Sequence, residues 1–346
     1  MLNNKTVYVL HQTGAPSHYN ALVELGRQNG FEVEFRVFSP RAILGLLRRL
    51  RLKEALSSLF FLLSLPRRQK TKIVLGIAPF DSYLPLLRKL LKKHDVYYHT
   101  SYTRWDGTYP AYPTDSAKLL DSWKDFVSNQ AKHVFAVSGR TKNELISNDY
   151  SLPEHISIVN HSFTAQIESV PHKKDNTFIF AGRLIPCKGI KELLDIFENR
   201  PDATLTISGS GELEPLVKTY SERCPNIRFE GFVKGLDKLV PIYQRHSFLI
   251  MNSVRLENWE ELFGIAIIEG MACGCVPLTT DHPGPKEIIT DGENGFTTEE
   301  GKISSLIDAA IAMDNSTYQS MRRKAIETSQ KYSAHNMAER WSKILD

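Results

Sequence analysis

The chain alternates short apolar runs with segments of helical periodicity, and this alternation limits what it can fold into. The runs are rich in β-branched and aromatic residues, which favours strands. Strands that alternate with helices form parallel sheets with helices on both faces. We predict strands at 6–10, 32–38, 72–77, 95–100, 133–138, 156–160, 177–181, 203–208, 226–230, 247–252 and 275–279.

A polar stretch at 172–176, HKKDN, divides these strands into two series. We therefore predict an α/β protein of two doubly wound, Rossmann-like domains, an N-terminal one at 1–170 and a C-terminal one at 171–325. Helical spacing at 326–346 predicts a final helix that packs back on the N-terminal domain. Such sheets bind ligands at the carboxyl ends of their strands, so two facing domains would form a site in the cleft between them.

The segment EELFGIAIIEGMACGCVPL carries two carboxylates, Glu261 and Glu269, in an apolar run. Burying an ionised carboxylate is costly unless a partner compensates it, and a polyhydroxyl ligand could supply such partners. Phe263-Gly264 predicts a tight entry into a helix whose first N–H groups favour an anion, and Gly274 predicts its end. The alternative is a surface helix with two solvated glutamates.

The spacing of these glutamates argues against a glycosidase. On one continuous helix, eight residues separate Glu261 from Glu269 by roughly 12 Å of rise. Paired hydrolytic carboxylates lie roughly 5 to 9.5 Å apart. We therefore expect two binding roles for them and no acid and base pair.

Two further cations follow a predicted strand in AGRLIPCKG, at 181–189. Arg183 and Lys188 would lie at the carboxyl end of that strand, where they could neutralise a diphosphate. The alternative is an ordinary basic loop. A glycine turn follows in ISGSGELEPLVK at 207–218, which is not a Walker loop because no Gly-Lys-Ser/Thr follows. Another turn rich in glycine and proline, DHPGPKEIITDGENGF, occupies 281–296.

In this order, the fragments resemble the GT-B glycosyltransferases, specifically the retaining family four with its Glu-x7-Glu motif. The resemblance implies that Arg183 and Lys188 bind the donor diphosphate and that Glu269 accepts hydrogen bonds from the ribose. Glu261 would contact the transferred sugar. The resemblance further assigns donor-binding roles to backbone N–H groups and to the loop beside the nucleobase, at Phe263, Gly264, Ile265, Phe232 and Val233.

The N-terminal half is less similar to this family. Its glycine-pair loop after the first strand reads HQTGAPSHYN, so Gly14 is the one matching glycine. His99 occupies the place of a family histidine that meets the donor sugar, and we predict it as catalytic together with Glu261, Arg183 and Lys188. The rival histidines are His11, His18 and His161.

The reaction implied by this resemblance transfers a sugar, with retention, from a UDP- or GDP-sugar to a hydroxyl of a glycan or lipid-linked acceptor. Such a reaction would belong to surface polysaccharide or glycolipid synthesis. No Asp-x-Asp occurs in the chain, and the family implies no metal and no cofactor beyond the nucleotide sugar. The alternatives are a nucleotide-sugar epimerase of related architecture and a non-catalytic GT-B binding subunit. Nucleic-acid binding is not expected, because no recognisable module is present.

Charge is uneven along the chain, with 22 Lys/Arg against 14 Asp/Glu in residues 1–170. A basic half indicates an anionic partner. Residues 41–70 carry two apolar helical faces, Ile43, Leu46, Leu47 and Leu50 in one and Leu56, Leu59, Phe60 and Leu63 in the other, flanked by arginines. This pattern fits either a helix on an anionic membrane surface or helices packed on their own sheet, and it is too short to span a bilayer.

Four cysteines show no Cys-x-x-Cys spacing and no nearby histidine cluster, so neither zinc nor a disulfide framework is indicated. A strand is predicted almost at once after the N-terminus, so no signal peptide is indicated. We expect a cytoplasmic protein, with peripheral attachment to the cytoplasmic face of the membrane if residues 41–70 bind lipid.

Overall fold

Each predicted series of strands forms one parallel sheet in the computed structural model, which describes residues 6–12, 16–109, 112–165, 167–168, 174–257 and 259–346. The chain divides into unit 1, Met1–Ser162 with Ala334–Asp346, and unit 2, Phe163–Ser333. The first division therefore lies at 162/163 and the second at 333/334, compared with 170/171 and 325/326 in the prediction. The predicted linker is described only from residue 174, and its first two residues lie outside the described ranges.

The sheet of unit 1 has the strand order β2-β1-β3-β4-β5-β6, and all neighbouring pairs are parallel. Apolar side chains of both faces are buried, as is usual for parallel sheets. Its elements are β1 (Thr6–His11), α1 (Asn20–Asn29), β2 (Glu32–Val37), α2 (Pro40–Arg48), α3 (Leu52–Ser64), β3 (Lys72–Gly76), α4 (Leu84–Leu91), β4 (Asp95–Thr100), α5 (Ala117–Asp125), β5 (Ala131–Ala136), α6 (Gly139–Ser147) and β6 (Ile156–Ile158).

Unit 2 repeats the design with the strand order β12-β11-β10-β7-β8-β9. Phe178 and Ile179, neighbours in β7 that face opposite sides of the sheet, are both fully buried, so both sides are covered. Its elements are β7 (Thr177–Ala181), α7 (Ile190–Glu198), β8 (Thr204–Ser208), α8 (Glu214–Arg223), β9 (Ile227–Gly231), α9 (Leu236–Tyr243), β10 (Phe248–Met251), α10 (Ile265–Ala272), β11 (Val276–Thr280), α11 (Pro283–Ile288), β12 (Phe296–Thr298), α12 (Ile303–Ala312) and α13 (Asn315–Gln330).

The chain returns to unit 1 after α13. There α14 (Ala334–Ala338) packs beside α1, and a 3₁₀ turn, Glu339–Ile344, follows it. Trp341 is fully buried against Phe135, with ring centroids 4.4 Å apart. Lys72 Nζ donates hydrogen bonds to the carbonyls of Ile344 (2.6 Å) and Leu345 (2.9 Å). These last residues therefore belong to the core of unit 1.

The helices α2 and α3 form a hairpin with an unusual surface. Ser39 caps α2 by accepting a hydrogen bond from Ala42 N (3.1 Å), and α2 buries no residue. The inward face of α3 carries Ala55, Ser58 and Phe61, whereas Leu56, Leu59, Phe60 and Leu63 are exposed. Leu50, in the link between the helices, is 84% exposed. If both helices packed on their own sheet, Leu46 and Leu50 would be buried. Leu46 is half-buried and Leu50 is not buried, so that alternative is wrong for Leu50.

No helix in the described part of the chain is both long enough and apolar enough to cross a bilayer.

Candidate functional site

The carboxyl ends of β7 and β10 lie side by side where the strand order of unit 2 reverses. From β7 the chain adds β8 and β9 on one side, and β10 then pairs with the other side of β7. In doubly wound sheets, ligands bind outside the carboxyl ends of the strands at such a switch point. The loops that leave these two strands, 182–189 and 252–264, carry five of the predicted site residues: Arg183, Lys188, Glu261, Phe263 and Gly264.

Loop 182–189 is held in place by its neighbours. Leu184 N donates to the carbonyl of Ser210 (2.9 Å), which ties the loop to the glycine turn after β8. Gly189 has φ of +61°, and a Cβ there would lie 2.2 Å from the carbonyl oxygen of Asn252. Asn252 Nδ2 in turn donates to the carbonyl of Gly189 (3.2 Å). Only glycine fits this position, and the two loops are therefore fixed against each other.

Lys188 and Glu261 form an ion pair at this switch point. Lys188 Nζ donates to Glu261 Oε2, and each side chain is only about a tenth exposed. Ser253 Oγ also donates to Glu261 Oε2 (3.3 Å). The Lys188 ammonium lies 4.9 Å from the ring centroid of Trp259. An ammonium has three donors, so Lys188 can hold Glu261 and still donate to an anionic ligand.

His282 fixes the backbone of Glu261 through a hydrogen bond. Its Nδ1 accepts a hydrogen bond from Glu261 N (3.1 Å), so its Nε2 carries the proton that it donates to the carbonyl of Ser253 (2.9 Å). Burial lowers the pKa of His282, which keeps the ring neutral. No role was predicted for this residue, and the signal that could have found it is its place just after β11.

The helix α10 begins beside this pair. Gly264, at φ of +95°, turns the chain into the helix after the buried Phe263, and Ile265 is its first residue. A Cβ on Gly284 would lie 2.3 Å from Phe263 N, so α11 packs directly on this turn. Gly274, at φ of +91°, follows the helix end, as predicted. Glu261 itself precedes the helix by four residues, so the two glutamates do not lie on one continuous helix.

Glu269 lies in the second turn of α10. Tyr243 OH donates to its Oε2 (3.3 Å). Burial raises the pKa of Glu269 to about 7, because the charged form loses water, and the tyrosine offsets this only in part. A ligand with hydroxyl groups would compensate the carboxylate further.

The remaining predicted residues of unit 2 are more exposed. Arg183 lies exposed in the loop after β7. Phe232 is exposed and Val233 is half-buried in the loop after β9. Gly14, predicted in unit 1, lies outside the described residues.

His99 lies at the carboxyl end of β4, within unit 1. It is buried, with ring centroids 4.8 Å from Tyr19 and 5.3 Å from Trp341. Its Nε2 has no hydrogen-bond partner among the described residues, and burial lowers its pKa to about 3. The rival His161 is also buried, 6.3 Å from His99 between ring centroids and 4.3 Å from His18. His99 is therefore a neutral imidazole in an aromatic cluster.

Residues 162–332 match the family model of Glycosyl transferases group 1, a range almost identical with unit 2. The chain is 29% identical to a poly(glycerol-phosphate) alpha-glucosyltransferase of Bacillus subtilis, over 51% of this chain and 27% of that protein. It is 28% identical to a phosphatidyl-myo-inositol mannosyltransferase of Mycobacterium leprae, over 56% and 52%. The chain thus matches between about a quarter and about half the length of these relatives. These matches support the predicted superfamily.

The whole chain is similar to solved structures. Anabaena Alr3699/HepE, in complex with UDP and glucose, aligns over 99% of both chains with a TM-score of 0.69 and 17% identity. The lipopolysaccharide outer core galactosyltransferase WaaB aligns over 98% of both with a TM-score of 0.64 and 14% identity. These likenesses show a fold of the GT-B type, which confirms the prediction of two Rossmann-like domains.

Proposed function

We propose that this protein is a retaining glycosyltransferase that moves a hexosyl group from a nucleotide sugar to a hydroxyl of a glycan or lipid-linked acceptor. The observation that carries the proposal is the Lys188–Glu261 pair at the switch point of unit 2, beside the start of α10. It joins a cation suited to a diphosphate with a carboxylate suited to sugar hydroxyls. The family match of residues 162–332 supports it.

Each residue has a defined part in this scheme. Lys188 and the exposed Arg183 bind the diphosphate and stabilise it as negative charge builds on departure. The first N–H groups of α10 also donate hydrogen bonds to this diphosphate in the scheme. Glu261, fixed by Lys188, Ser253 and His282, accepts hydrogen bonds from the transferred sugar. Glu269 accepts them from the ribose, and the loop at Phe232 and Val233 contacts the base.

The chemical step in this scheme is carried by charge and positioning. The acceptor oxygen forms the new bond to the anomeric carbon as the bond to the diphosphate oxygen breaks, and the acceptor proton passes to the departing phosphate. The scheme uses no metal and no cofactor besides the donor. His99, as a neutral imidazole, is assigned a hydrogen bond to the donor sugar.

UDP is the nucleotide we propose, because the Anabaena structure contains UDP and glucose. The names of the two relatives point to phosphate-bearing acceptors, poly(glycerol phosphate) and a phosphatidylinositol. We therefore place this protein in the synthesis of a surface polysaccharide or glycolipid, on the cytoplasmic side and at the membrane.

A thermal-shift screen of UDP-, GDP- and ADP-sugars tests the donor assignment, since a ligand that binds only the folded state raises the melting temperature. We expect UDP-sugars to raise it and ADP-sugars to leave it unchanged. Arg183→Ala should lose most of the shift, whereas Arg228→Ala, at an exposed position elsewhere in unit 2, should keep it. A shift by GDP-sugars alone would replace UDP with GDP in the proposal.

Turnover is tested with the nucleotide sugar that binds. We expect Arg183→Ala to lower turnover by about a hundredfold, with the anomeric configuration of the product retained by NMR. An inverted product would contradict the retaining mechanism. Conversion of the donor to an epimer without any acceptor would contradict transfer itself.

A further inference from the structure

The α2–α3 hairpin presents a broad apolar surface to the solvent. Phe60 is 71%, Leu63 67% and Leu56 63% exposed, and all three lie on one face of α3. Large contiguous apolar patches of this kind are rare on soluble proteins and mark interaction sites. Five more exposed leucines lie in the same hairpin, Leu44, Leu47, Leu50, Leu52 and Leu59.

This apolar surface is not the face that holds α3 to unit 1. Phe61, on the opposite side of the helix, packs against Tyr8 with ring centroids 4.3 Å apart. Ser58 Oγ accepts a hydrogen bond from Val37 N (3.3 Å). Arg68 lies 4.8 Å from the ring of Phe61. The outward residues can therefore be changed without removing the contacts that anchor the hairpin.

A basic pocket of about 1050 Å³ lies beneath the hairpin. It is built at the carboxyl ends of β1 and β2, beside the point where the strand order of unit 1 reverses, which is a ligand position in such sheets. Five cations line it, Arg36, Arg41, Arg49, Arg51 and Lys53, together with two acids, Glu54 and Asp81.

The cations that line the pocket are only partly neutralised by acidic side chains. Arg51 is paired with Glu54, and Arg36 with Glu34. Asp81 accepts hydrogen bonds from Gln12 Nε2 and from Tyr83 N (2.8 Å). Within the described ranges, Arg41, Arg49 and Lys53 have no ion-pair partner, and Arg36 Nε and His11 Nδ1 are buried without a hydrogen bond. An anionic group of several oxygens would satisfy these donors.

We propose that the hairpin docks on an anionic membrane, with Leu56, Phe60 and Leu63 in the interface and a lipid headgroup phosphate in the basic pocket. Seven Lys/Arg against one Glu between residues 40 and 68 match the charge of such a surface. A soluble phosphate would leave the leucines in water, and a purely apolar partner would leave the cations unpaired. A headgroup joined to acyl chains meets both features. This inference goes beyond glycosyl transfer and does not depend on it.

Vesicle co-sedimentation of the full chain, without any nucleotide sugar, tests the proposal. We expect the protein to bind vesicles that contain phosphatidylglycerol, to bind pure phosphatidylcholine far more weakly, and to be released by high salt. The triple change Leu56→Ser, Phe60→Ser and Leu63→Ser should lower the partition coefficient at least about tenfold. The matched control is Leu86→Ser with Leu152→Ser, exposed leucines elsewhere in unit 1, which should bind as the wild type does.

The pocket is tested by two pairs of arginines within residues 41–67. Arg41→Gln with Arg49→Gln removes two pocket cations, whereas Arg48→Gln with Arg67→Gln removes two exposed cations outside the pocket. We expect the first pair to lower binding by about thirtyfold, since each cation contributes roughly fivefold, and the second pair to lower it less. Circular dichroism confirms that each variant is folded.

Three outcomes would overturn the proposal. Equal losses of vesicle binding from the two arginine pairs would contradict the assignment of the pocket to a lipid headgroup. Unchanged binding by the leucine and phenylalanine triple variant would remove the interface role of α3. A folded wild type that binds no vesicles would remove membrane docking and favour a protein partner for the apolar surface.

Discussion

Lys188 and Glu261 are 73 residues apart in the chain and form an ion pair. This pair contributes to the stability of unit 2 and to the proposed donor site. Both side chains are nearly buried, so neither charge is well solvated when the other is removed. His282 and Ser253 add hydrogen bonds that fix the carboxylate. The same arrangement that holds the site ready for a donor therefore also makes each charge costly to delete alone.

A double-mutant cycle measures this coupling. We expect Lys188→Met to destabilise the protein by about 3 kcal/mol, because it leaves the Glu261 carboxylate buried and unpaired. Adding Glu261→Gln should recover much of that loss. Denaturant unfolding gives each free energy. The surface pair Lys191–Asp195 is the matched control, with an expected coupling below about 1 kcal/mol. Equal coupling in the two pairs would refute the argument.

Glu269 predicts a specific dependence of stability on pH. Its pKa rises from the ordinary value of 4.5 in the unfolded chain to about 7 in the folded protein. The folded state then holds a proton that the unfolded state releases, so stability is fully present below about pH 4.5 and falls as pH rises through 7. Glu269→Gln removes this loss and should be more stable than the wild type by up to about 3 kcal/mol at pH 8.

The measurement is denaturant unfolding of both proteins at pH 5, 6, 7 and 8, each with roughly the same ionic strength. Glu222→Gln, on the exposed side of α8, is the matched control. A difference between Glu269→Gln and the wild type that is the same at pH 5 and pH 8 would show that burial does not raise this pKa.

At the scale of elements, the turn between loop 252–264 and α10 depends on the close approach of α11. Gly284 lets α11 lie against Phe263, where a Cβ would be 2.3 Å from the backbone nitrogen and 2.4 Å from Cα. Backbone atoms cannot move aside as a side chain tip can. The packing of α11 therefore sets where the first N–H groups of α10 point.

Gly284→Ala tests this packing. We expect a loss of about 1 to 3 kcal/mol in unfolding free energy and a lower affinity for UDP, because α11 must shift and carry the Phe263–Gly264 turn with it. Gly45→Ala, inside α2 with nothing within 4 Å of its Cβ, should instead be neutral or stabilise by up to about 1 kcal/mol. Thermal unfolding and UDP titration report both. Unchanged UDP affinity in a folded Gly284→Ala would separate α11 from the site.

The elements that the sequence predicted are those with a clear local period. Strands such as Thr177–Ala181 and Asp95–Thr100 match their predictions, because buried parallel strands are continuous apolar runs. The strand Phe296–Thr298 was not predicted, since three half-buried edge residues give no period. Which face of α3 packs on the sheet was also not predicted. That helix is apolar on nearly every side, so Leu56 and Phe61 look alike until the sheet is present.

The candidate site, like the strands and helices, could be predicted only as far as local motifs allow. Arg183, Lys188, Glu261 and Glu269 could be selected from local motifs, because each lies in a loop after a strand or in the apolar helix that follows that loop. Their partners could not. His282 lies 21 residues after Glu261, and Tyr243 lies 26 residues before Glu269. These contacts depend on how the strands are ordered in the sheet, which local periodicity does not give.

At the scale of the whole molecule, unit 1 is built from two separate parts of the chain. Trp341 is the main residue of the second part, and its ring lies 4.4 Å from Phe135 and 5.3 Å from His99 between centroids. The last residues of the chain therefore complete the core that surrounds the β4 and β5 strands.

Trp341→Ala should destabilise unit 1 by about 3 to 5 kcal/mol, because it opens a large cavity in a fully packed core. We expect native-state hydrogen exchange to speed up in β3, β4 and β5 while β7 and β8 keep their protection. Phe178→Ala, at a fully buried position of unit 2, should give the opposite pattern. Faster exchange in both sheets of either variant would show that the two units unfold together.

The return of the chain to unit 1 also sets the order in which the protein can be finished during synthesis. All residues of unit 2 have been translated by Ser333, so it can fold on the emerging chain. Unit 1 starts first, yet its core stays open until Trp341 leaves the ribosome. In that interval the tryptophan's place beside Phe135 and His99 is exposed to chaperones. A chain truncated after Ser333 should therefore contain one finished unit, the later one.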